Sequence, residues 1–321
     1  MVRVGYTLLG EQAGPKDLVA NVLAAERAGF DLAVASDHYF PWLDSQGHAP
    51  FVYSVLGAAA QATETIELMT YVTCPIKRYH PAVVAQMAAT VGLLSDGRFT
   101  LGLGSGENLN EHVTGGGWPP VNVRHEMFVE ALQIISELFG GTYVSYSGRH
   151  FQVDSAKLWD VGSPPPRIGV AVSGAESCRF AGEHADVMIG VEPKAELGAA
   201  FDAAGGTGKP RVGQVPICFD HDREAAMQRA HELMRWFSLG WKVNSELPGT
   251  AAFAAASANT RPEDVAGSIP CGDDVAAIVD AVRPYVEAGY TDIALAQIGR
   301  GSQSDFTAWA AAELLPELRK L

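Results

Sequence analysis

The feature that most constrains this chain is a regular alternation of short apolar, β-branched runs with segments of helical periodicity. Such alternation is typical of βα units arranged around a parallel sheet. In the first unit, an apolar run is followed by Pro15, which favours the start of a helix, and by Gly29, which favours its end. We predict eight strands, at Val2–Leu8, Asp31–Ser36, Ile66–Val72, Phe99–Leu103, Arg167–Val172, Val187–Gly190, Arg211–Cys218 and Thr291–Gln297.

Eight βα units are the number that closes a TIM-type (β/α)8 barrel, which takes about 250 residues. The chain has 321 residues, so we predict one α/β barrel domain over residues 1–321 with inserted segments. Alternating residues around Ser147–Gly148 predict a β-hairpin insertion at about 142–165. Weak periodicity at 239–272 predicts a helical insertion that carries substrate contacts or a lid. A doubly wound open sheet is the competing architecture.

The charge balance narrows the classes of partner. The chain has 23 Lys and Arg against 37 Asp and Glu, a net charge of −14, which disfavours nucleic acid and anionic membrane surfaces. No apolar run approaches the roughly 20 residues that span a bilayer, and the first residues lack a secretory-signal pattern, so we expect a cytoplasmic protein. The four cysteines are far apart in sequence, so we expect reduced thiols and no metal site.

The active mouth of such a barrel lies at the carboxyl ends of its strands, so polar residues that follow the strands are the functional candidates. The segment Ser36–Trp42, with the sequence SDHYFPW, follows the second predicted strand. Within it, His38 could serve as a general base, with Asp37 holding its tautomer or fixing the loop. The alternative is a structural loop in which the aromatic residues pack and His38 bonds to a backbone carbonyl.

A second candidate, LGSGENLNE at 103–111, follows the fourth predicted strand. Its small residues allow a flat ligand to approach the backbone closely, and Glu107 would then point into the mouth. Glu107 could instead cap or complement the helix that follows. The glycine spacing does not match the dinucleotide-binding fingerprint.

Two further strand ends are weaker candidates. Ser173–Gly174 lies in a small-residue turn before a predicted helix, where it could hold a cofactor phosphate or simply cap the helix. Thr70–Pro75 could form a backbone shelf under a planar ring, or it could be an ordinary strand end before Pro75.

Taken together, these segments resemble a known family. The motifs are SDHYFPW at 36–42, GHAPF at 47–51, RYHPAVVAQ at 78–86 and GLGSGENLNE at 102–111, followed by Gly115 and Trp118–Pro119. They are similar to the luciferase-like monooxygenase superfamily, and most closely to its coenzyme F420-dependent branch related to glucose-6-phosphate dehydrogenases. The resemblance covers residues 2–321. It implies a TIM-type barrel with insertions, often dimeric, that binds a flavin-like ring at the mouth.

The resemblance also implies roles for individual residues. His38 would accept the proton of the substrate alcohol, Trp42 would stack at the reacting centre, and Glu107 would protonate or stabilise the reduced ring. Tyr71–Val72 would be a non-prolyl cis peptide that supports the ring. The other residues implied to contact or line the cofactor are Asp37, Cys74, Gly106, Asn110, Ser173 and Gly174.

The chain departs from this resemblance where the sugar-phosphate dehydrogenases clamp the phosphate of their substrate. Lys194 matches one basic residue of that clamp, whereas the others fall in the neutral region Ala251–Ser268. A phosphate dianion needs several charge-assisted contacts, so we expect a less charged alcohol, or the corresponding carbonyl compound, instead of glucose 6-phosphate. Lys194 could equally be a solvated surface lysine.

The resemblance therefore predicts an F420-dependent oxidoreductase that transfers hydride between an alcohol or carbonyl substrate and C5 of the deazaflavin. His38 is its base, and a homodimer is the expected assembly. The first alternative is an FMN-dependent monooxygenase of the same superfamily. The second is a barrel that binds flavin without catalysis, which would need neither His38 nor Glu107.

Overall fold

The computed structural model describes residues 2–321. Its strands are numbered in chain order, and all except the fifth and sixth belong to one parallel sheet. The ten strands, β1 to β10, are Arg3–Leu8, Leu32–Ala35, Glu67–Thr70, Phe99–Leu103, Val144–Ser147, Gln152–Ala156, Arg167–Ala171, Val187–Gly190, Arg211–Ile217 and Asp292–Gln297.

The parallel sheet closes on itself. Strands β1, β2, β3, β4, β7, β8, β9 and β10 pair in that order, and β10 pairs in parallel with β1, so the sheet has no free edge. This closure confirms the predicted (β/α)8 barrel and excludes the doubly wound open sheet. All eight predicted barrel strands are present, with ends that differ from the prediction by no more than two residues.

Helices surround the barrel and follow most of its strands. The first of them begins at Pro15 and ends before Gly29, whose φ of +92° turns the chain so that the N–H of Phe30 donates to the Ala25 carbonyl at 3.1 Å. The α-helices, α1 to α14, are Pro15–Ala28, Val52–Ala62, Pro81–Leu94, Asn108–Glu111, Val121–Phe139, Ala175–His184, Ala195–Phe201, Arg223–Met234, Trp241–Asn244, Gly249–Ala256, Pro262–Ala266, Val275–Glu287, Gln303–Trp309 and Leu315–Leu318.

The barrel strands are apolar along almost their whole length because both of their faces are covered. Side chains on the inner face fill the barrel, while those on the outer face join the larger core shared with the helices. The inner cluster consists of Leu32, Val34, Met69, Val187, Ile189, Val212 and Ala294.

Two segments stand outside the regular βα pattern. Strands β5 and β6 form an antiparallel hairpin after α5, with Val144 opposite Ala156. Helices α9, α10 and α11 lie between β9 and α12, and the apolar residues of this region form a separate core cluster with the loop after β2. The aromatic members of that cluster are Trp42, Trp236 and Phe253. None of the helices in residues 2–321 is long and apolar enough to cross a membrane.

Candidate active site

His38 lies in the loop after β2, at the mouth of the barrel. Its Nδ1 is 3.1 Å from Oε1 of Glu11 and 3.2 Å from the carbonyl oxygen of Phe40. Both partners are acceptors, so in the neutral ring Nδ1 carries the proton and Nε2 has the free lone pair. Nε2 faces Oε2 of Glu107 at 3.6 Å. Glu11 therefore holds the His38 tautomer, and the suggestion that Asp37 does so is wrong.

Glu107 follows the short loop after β4. Glu107 is the N-cap residue of α4, but its side chain makes no capping hydrogen bond to that helix. Instead, Oε2 accepts a hydrogen bond from Nδ2 of Asn110 at 3.2 Å. Burial, together with the nearby carboxylates of Glu11 and Glu111, raises the pKa of Glu107 to about 7. This carboxyl group can therefore hold or release a proton near neutral pH.

Asn110 joins the two loops that carry these groups. Its Oδ1 accepts hydrogen bonds from the backbone N–H groups of Tyr39 and Phe40, at 2.9 and 3.2 Å. Its Nδ2 is the donor to Glu107. The buried carboxamide thus fixes the loop of His38 relative to Glu107.

Trp42 packs against His38 with ring centroids 5.1 Å apart. Its other neighbours come from the region after β9: it stacks on Trp236 at 3.9 Å with an interplanar angle of 10°, and it meets Phe253 edge to face at 5.0 Å. These contacts leave Trp42 only 7% exposed. The structure therefore brings His38, Trp42 and Glu107 together, and residues after β9 complete the packing.

Asp37 points away from His38 into a buried polar cluster, which we call the Asp37 cluster. Its Oδ2 accepts from Thr73 Oγ1 at 2.8 Å, and its Oδ1 accepts from Arg78 Nη2 at 3.0 Å and from Tyr79 OH at 3.2 Å. Arg78 also binds Glu111, through its backbone N–H at 2.7 Å and its Nε at 3.4 Å. Every charged group of the cluster has an opposite charge beside it.

The loops after β3 and β4 pack backbone against backbone. Thr73 N–H donates to the Gly102 carbonyl at 2.8 Å, and Gly104 N–H donates to the Thr73 carbonyl at 3.0 Å. A Cβ on Gly104 would lie 2.6 Å from Val72 Cγ2, so only glycine allows this approach. The Tyr71–Val72 peptide bond is cis, as the resemblance implies. Residues 71–74 and 102–106 form a backbone shelf beside Glu107.

Cys74 and Gly106 meet within this shelf. Gly106 has a φ of +80°, and a Cβ there would collide with the Cys74 sulfur. Burial raises the pKa of the Cys74 thiol well above its usual value. Cys74 is therefore a packed, protonated thiol inside the shelf.

Ser173 and Gly174 lie between β7 and α6, also at the mouth. Their N–H groups donate to Ser177 Oγ at 3.1 and 3.2 Å, and Ser177 Oγ donates to the Gly174 carbonyl at 2.9 Å. Ser177 was not among the predicted residues, although a polar side chain at the third helical position is a known capping signal.

Lys194 precedes α7, and its Nζ pairs with the Glu192 carboxylate at 2.8 Å. The hydrogen bond to Glu192 raises the Lys194 pKa. Ala251–Ser268 contains a single basic residue, Arg261, which pairs with Asp264 at 2.7 Å. Both basic side chains are therefore already engaged by carboxylates.

Glu11 and Trp236 were missed from the sequence, for different reasons. Glu11 follows β1 closely, so the same argument that selected His38, that polar residues after strands face the mouth, would have found it. Trp236 lies just after α8 and carries no local signal. Only the tertiary fold brings it to Trp42.

Three comparisons place this geometry among known proteins. Residues 2–292 match the family model described as luciferase-like monooxygenase. An F420-dependent glucose-6-phosphate dehydrogenase of Beutenbergia cavernae is 35% identical over 335 residues, covering 99% of this chain and 98% of that protein. An F420-dependent hydroxymycolic acid dehydrogenase of Mycobacterium tuberculosis is 37% identical over 295 residues, covering 89% and 80%.

A solved structure has the same fold. An F420-dependent secondary alcohol dehydrogenase in complex with an F420-acetone adduct superposes with a TM-score of 0.89 at 24% identity, over 99% of both chains. The family match and the full-length relatives confirm the resemblance read from the sequence motifs. The chain belongs to the luciferase-like monooxygenase family.

Proposed function

We propose that this protein is a coenzyme F420-dependent oxidoreductase that interconverts an alcohol and its carbonyl compound. The observation that carries the proposal is the convergence of His38 Nε2 and Glu107 Oε2, 3.6 Å apart, beside the backbone shelf. Two relatives at 35 and 37% identity are named F420-dependent dehydrogenases, which supports the same class here.

The residues of the mouth fit a deazaflavin. A planar ring needs a flat support, and the shelf formed by residues 71–74 and 102–106 offers one built from backbone. The N–H groups of Ser173 and Gly174 already donate to Ser177 Oγ, so the exposed Ser173 side chain, next to the start of α6, would receive the phosphate of the cofactor. Gly174 would line the phosphate, and Asn110 and Gly106 would line the ring. Coenzyme F420, when bound, supplies the C5 carbon that exchanges a hydride with the substrate carbon.

His38 accepts the hydroxyl proton of the substrate alcohol at Nε2. Glu11 and the Phe40 carbonyl keep the other proton on Nδ1, so the ring presents its lone pair to the mouth. General-base assistance of this kind contributes about 10²–10⁴-fold to the rate. Asp37 supports the same loop from the opposite side through Arg78 and Thr73.

Glu107 and Trp42 complete the site in this proposal. With its pKa near 7, Glu107 holds or releases a proton at Oε2 beside the cofactor ring. Trp42, held by Trp236, provides a rigid aromatic wall that orients the substrate.

The substrate we propose is an alcohol or carbonyl compound without a phosphate group. The engagement of Lys194 by Glu192, and of Arg261 by Asp264, supports this choice because a phosphate dianion would have to displace both carboxylates. The aromatic wall favours a substrate with apolar substituents.

We also propose a homodimer, as the resemblance implies. Phe51, just before α2, and Val83, in α3, are each 48% exposed, and contact between two copies would cover such side chains. Light scattering over a range of concentrations should then give twice the mass of the chain.

Cofactor titration tests the proposal against an FMN-dependent monooxygenase. The protein is titrated separately with coenzyme F420 and FMN while ligand fluorescence is followed. We expect saturable binding of F420, and then turnover with a panel of alcohols in the presence of oxidised F420, with sugar phosphates turned over poorly. Tight FMN binding without any response to F420 would reverse the assignment in favour of the monooxygenase.

A further inference from the structure

Three tyrosine hydroxyls bind three consecutive carbonyl groups in the loop after β8. Tyr71 donates to the Gly190 carbonyl at 3.1 Å, Tyr285 to that of Val191 at 2.7 Å, and Tyr290 to that of Glu192 at 2.9 Å. Burial raises the pKa of all three tyrosines, that of Tyr290 to about 12, so the hydroxyls remain donors near neutral pH. We call Tyr71, Tyr285 and Tyr290 the tyrosine clamp.

The clamp is assembled from separate parts of the chain. Tyr71 follows β3, Tyr285 lies in α12 and Tyr290 precedes β10. Glycines make room for two of the rings: a Cβ on Gly213 would lie 2.7 Å from the Tyr285 ring, and one on Gly190 would collide with the Tyr290 hydroxyl. Tyr285 and Tyr290 also pack edge to face, with centroids 5.3 Å apart. The loop is therefore restrained from several directions.

The clamped loop runs beside the turn that contains Ser173 and Gly174. Ala171 in β7 is in register with Ile189 in β8, and Val172 N–H donates to the Ile189 carbonyl at 2.8 Å. The segments that follow β7 and β8 therefore leave the barrel side by side at the mouth. The loop after β8, with Val191 half exposed, forms the other side of the surface proposed for the cofactor phosphate.

We infer that the tyrosine clamp is a set of positioning residues that hold residues 190–192 of this loop in the shape needed to bind the phosphate-bearing tail of the cofactor. In a planar peptide the N–H points opposite to the C=O, so fixing the carbonyls of Gly190 and Val191 also fixes the N–H groups of Val191 and Glu192. A loop held in this way loses less conformational entropy when it binds a ligand. This inference rests on the proposed F420 site.

Removal of single hydroxyls tests the clamp with little change in packing. Tyr285→Phe and Tyr290→Phe are compared with Tyr6→Phe, a control that removes a buried hydroxyl whose partner, Gln303, lies outside the loop. Dissociation constants are measured by fluorescence for coenzyme F420 and for the deazaflavin that lacks the phosphate-bearing tail. Hydrogen exchange of residues 188–194 is followed in the cofactor-free proteins, and thermal unfolding verifies that each variant is folded.

The clamp variants should bind F420 about three- to tenfold more weakly, while binding of the tail-free deazaflavin changes by less than twofold. Exchange in the loop should become faster in both clamp variants and stay unchanged in Tyr6→Phe. Unchanged F420 affinity, or equal weakening of both ligands, would make the clamp purely structural and overturn the inference. Failure of the wild-type protein to bind F420 would instead refute the proposed function on which the inference depends.

Discussion

Asp37 and His38 are adjacent in sequence, yet their side chains enter two different regions. An arginine compensates the carboxylates in the region around Asp37, whereas no lysine or arginine in the part of the chain that the structure describes does so in the region around His38. In the Asp37 cluster, the carboxylates of Asp37 and Glu111 share the guanidinium of Arg78. Around His38, the carboxylates of Glu11 and Glu107 flank the imidazole, and within residues 2–321 neither of them pairs with a lysine or an arginine.

The difference between the two regions fits the roles proposed for them, structural support by the Asp37 cluster and proton transfer at His38 and Glu107. Burial raises the pKa of both Glu107 and Glu111, but Arg78 opposes the shift only at Glu111. Paired charges hold the loops in place and are costly to disturb. A carboxyl group without a cationic partner keeps its proton available near neutral pH, which is what a proton-transfer site requires.

The largest effect on turnover should come from removing the His38 imidazole. His38→Ala should lower turnover by about 10²–10⁴-fold because the base is lost, while F420 affinity stays within about twofold. Steady-state kinetics and fluorescence titration measure the two quantities. His184→Ala, an exposed histidine on α6, is the control. Equal turnover in His38→Ala and wild type would remove the base assignment.

In the Asp37 cluster the main effect should be on stability. Arg78→Met leaves two buried carboxylates without their cation, so we expect the free energy of unfolding to fall by about 3–5 kcal/mol. The control Arg179→Met breaks an exposed pair with Glu183 one helical turn away and should cost about 0.5 kcal/mol or less. Denaturant unfolding measures both. If Arg78→Met kept normal stability but lost turnover, Arg78 would have a role in catalysis. The distinction between a supporting Asp37 cluster and a catalytic His38 region would then be wrong.

Glu107→Gln should change how stability depends on pH. The folded-state pKa of about 7 lies above the ordinary 4.5, so the folded wild type binds more protons than the unfolded chain between these values. Wild-type stability therefore falls relative to the variant as pH rises from about 4.5 to about 7, by about 3 kcal/mol, and the difference is constant outside that window. Unfolding measured at several pH values tests this, and a difference independent of pH would contradict it.

The smallest effect on catalysis is expected for substitution of Lys194, which lies neither in the Asp37 cluster nor around His38. Lys194→Ala should leave KM and turnover for an uncharged alcohol within about twofold of wild type, because its ammonium already pairs with Glu192 in solvent. Lys242→Ala, in α9, is the matched control. A tenfold rise in KM for Lys194→Ala alone would identify it as a substrate contact.

The fold could be predicted because each barrel strand is a separate apolar run, so its signal is local. His38, Trp42 and Glu107 could be selected because they follow strands and lie in recognisable motifs. The pairing of the Asp37 carboxylate with Arg78 could not be predicted from the sequence, because it depends on how the loops after β2 and β3 meet. The stacking of Trp42 on Trp236 depends in the same way on two segments distant in sequence.

The contact of Trp42 with Trp236 and Phe253 also links activity to the order of folding. A chain whose barrel has formed while the region after β9 is still loose contains His38 and Glu107, the proposed base and proton-transfer carboxyl group, but lacks the proposed aromatic wall. During refolding, recovery of turnover should therefore lag behind recovery of barrel secondary structure. A single proteolytic cut between α9 and α10 should likewise abolish turnover while leaving most of the molecule intact.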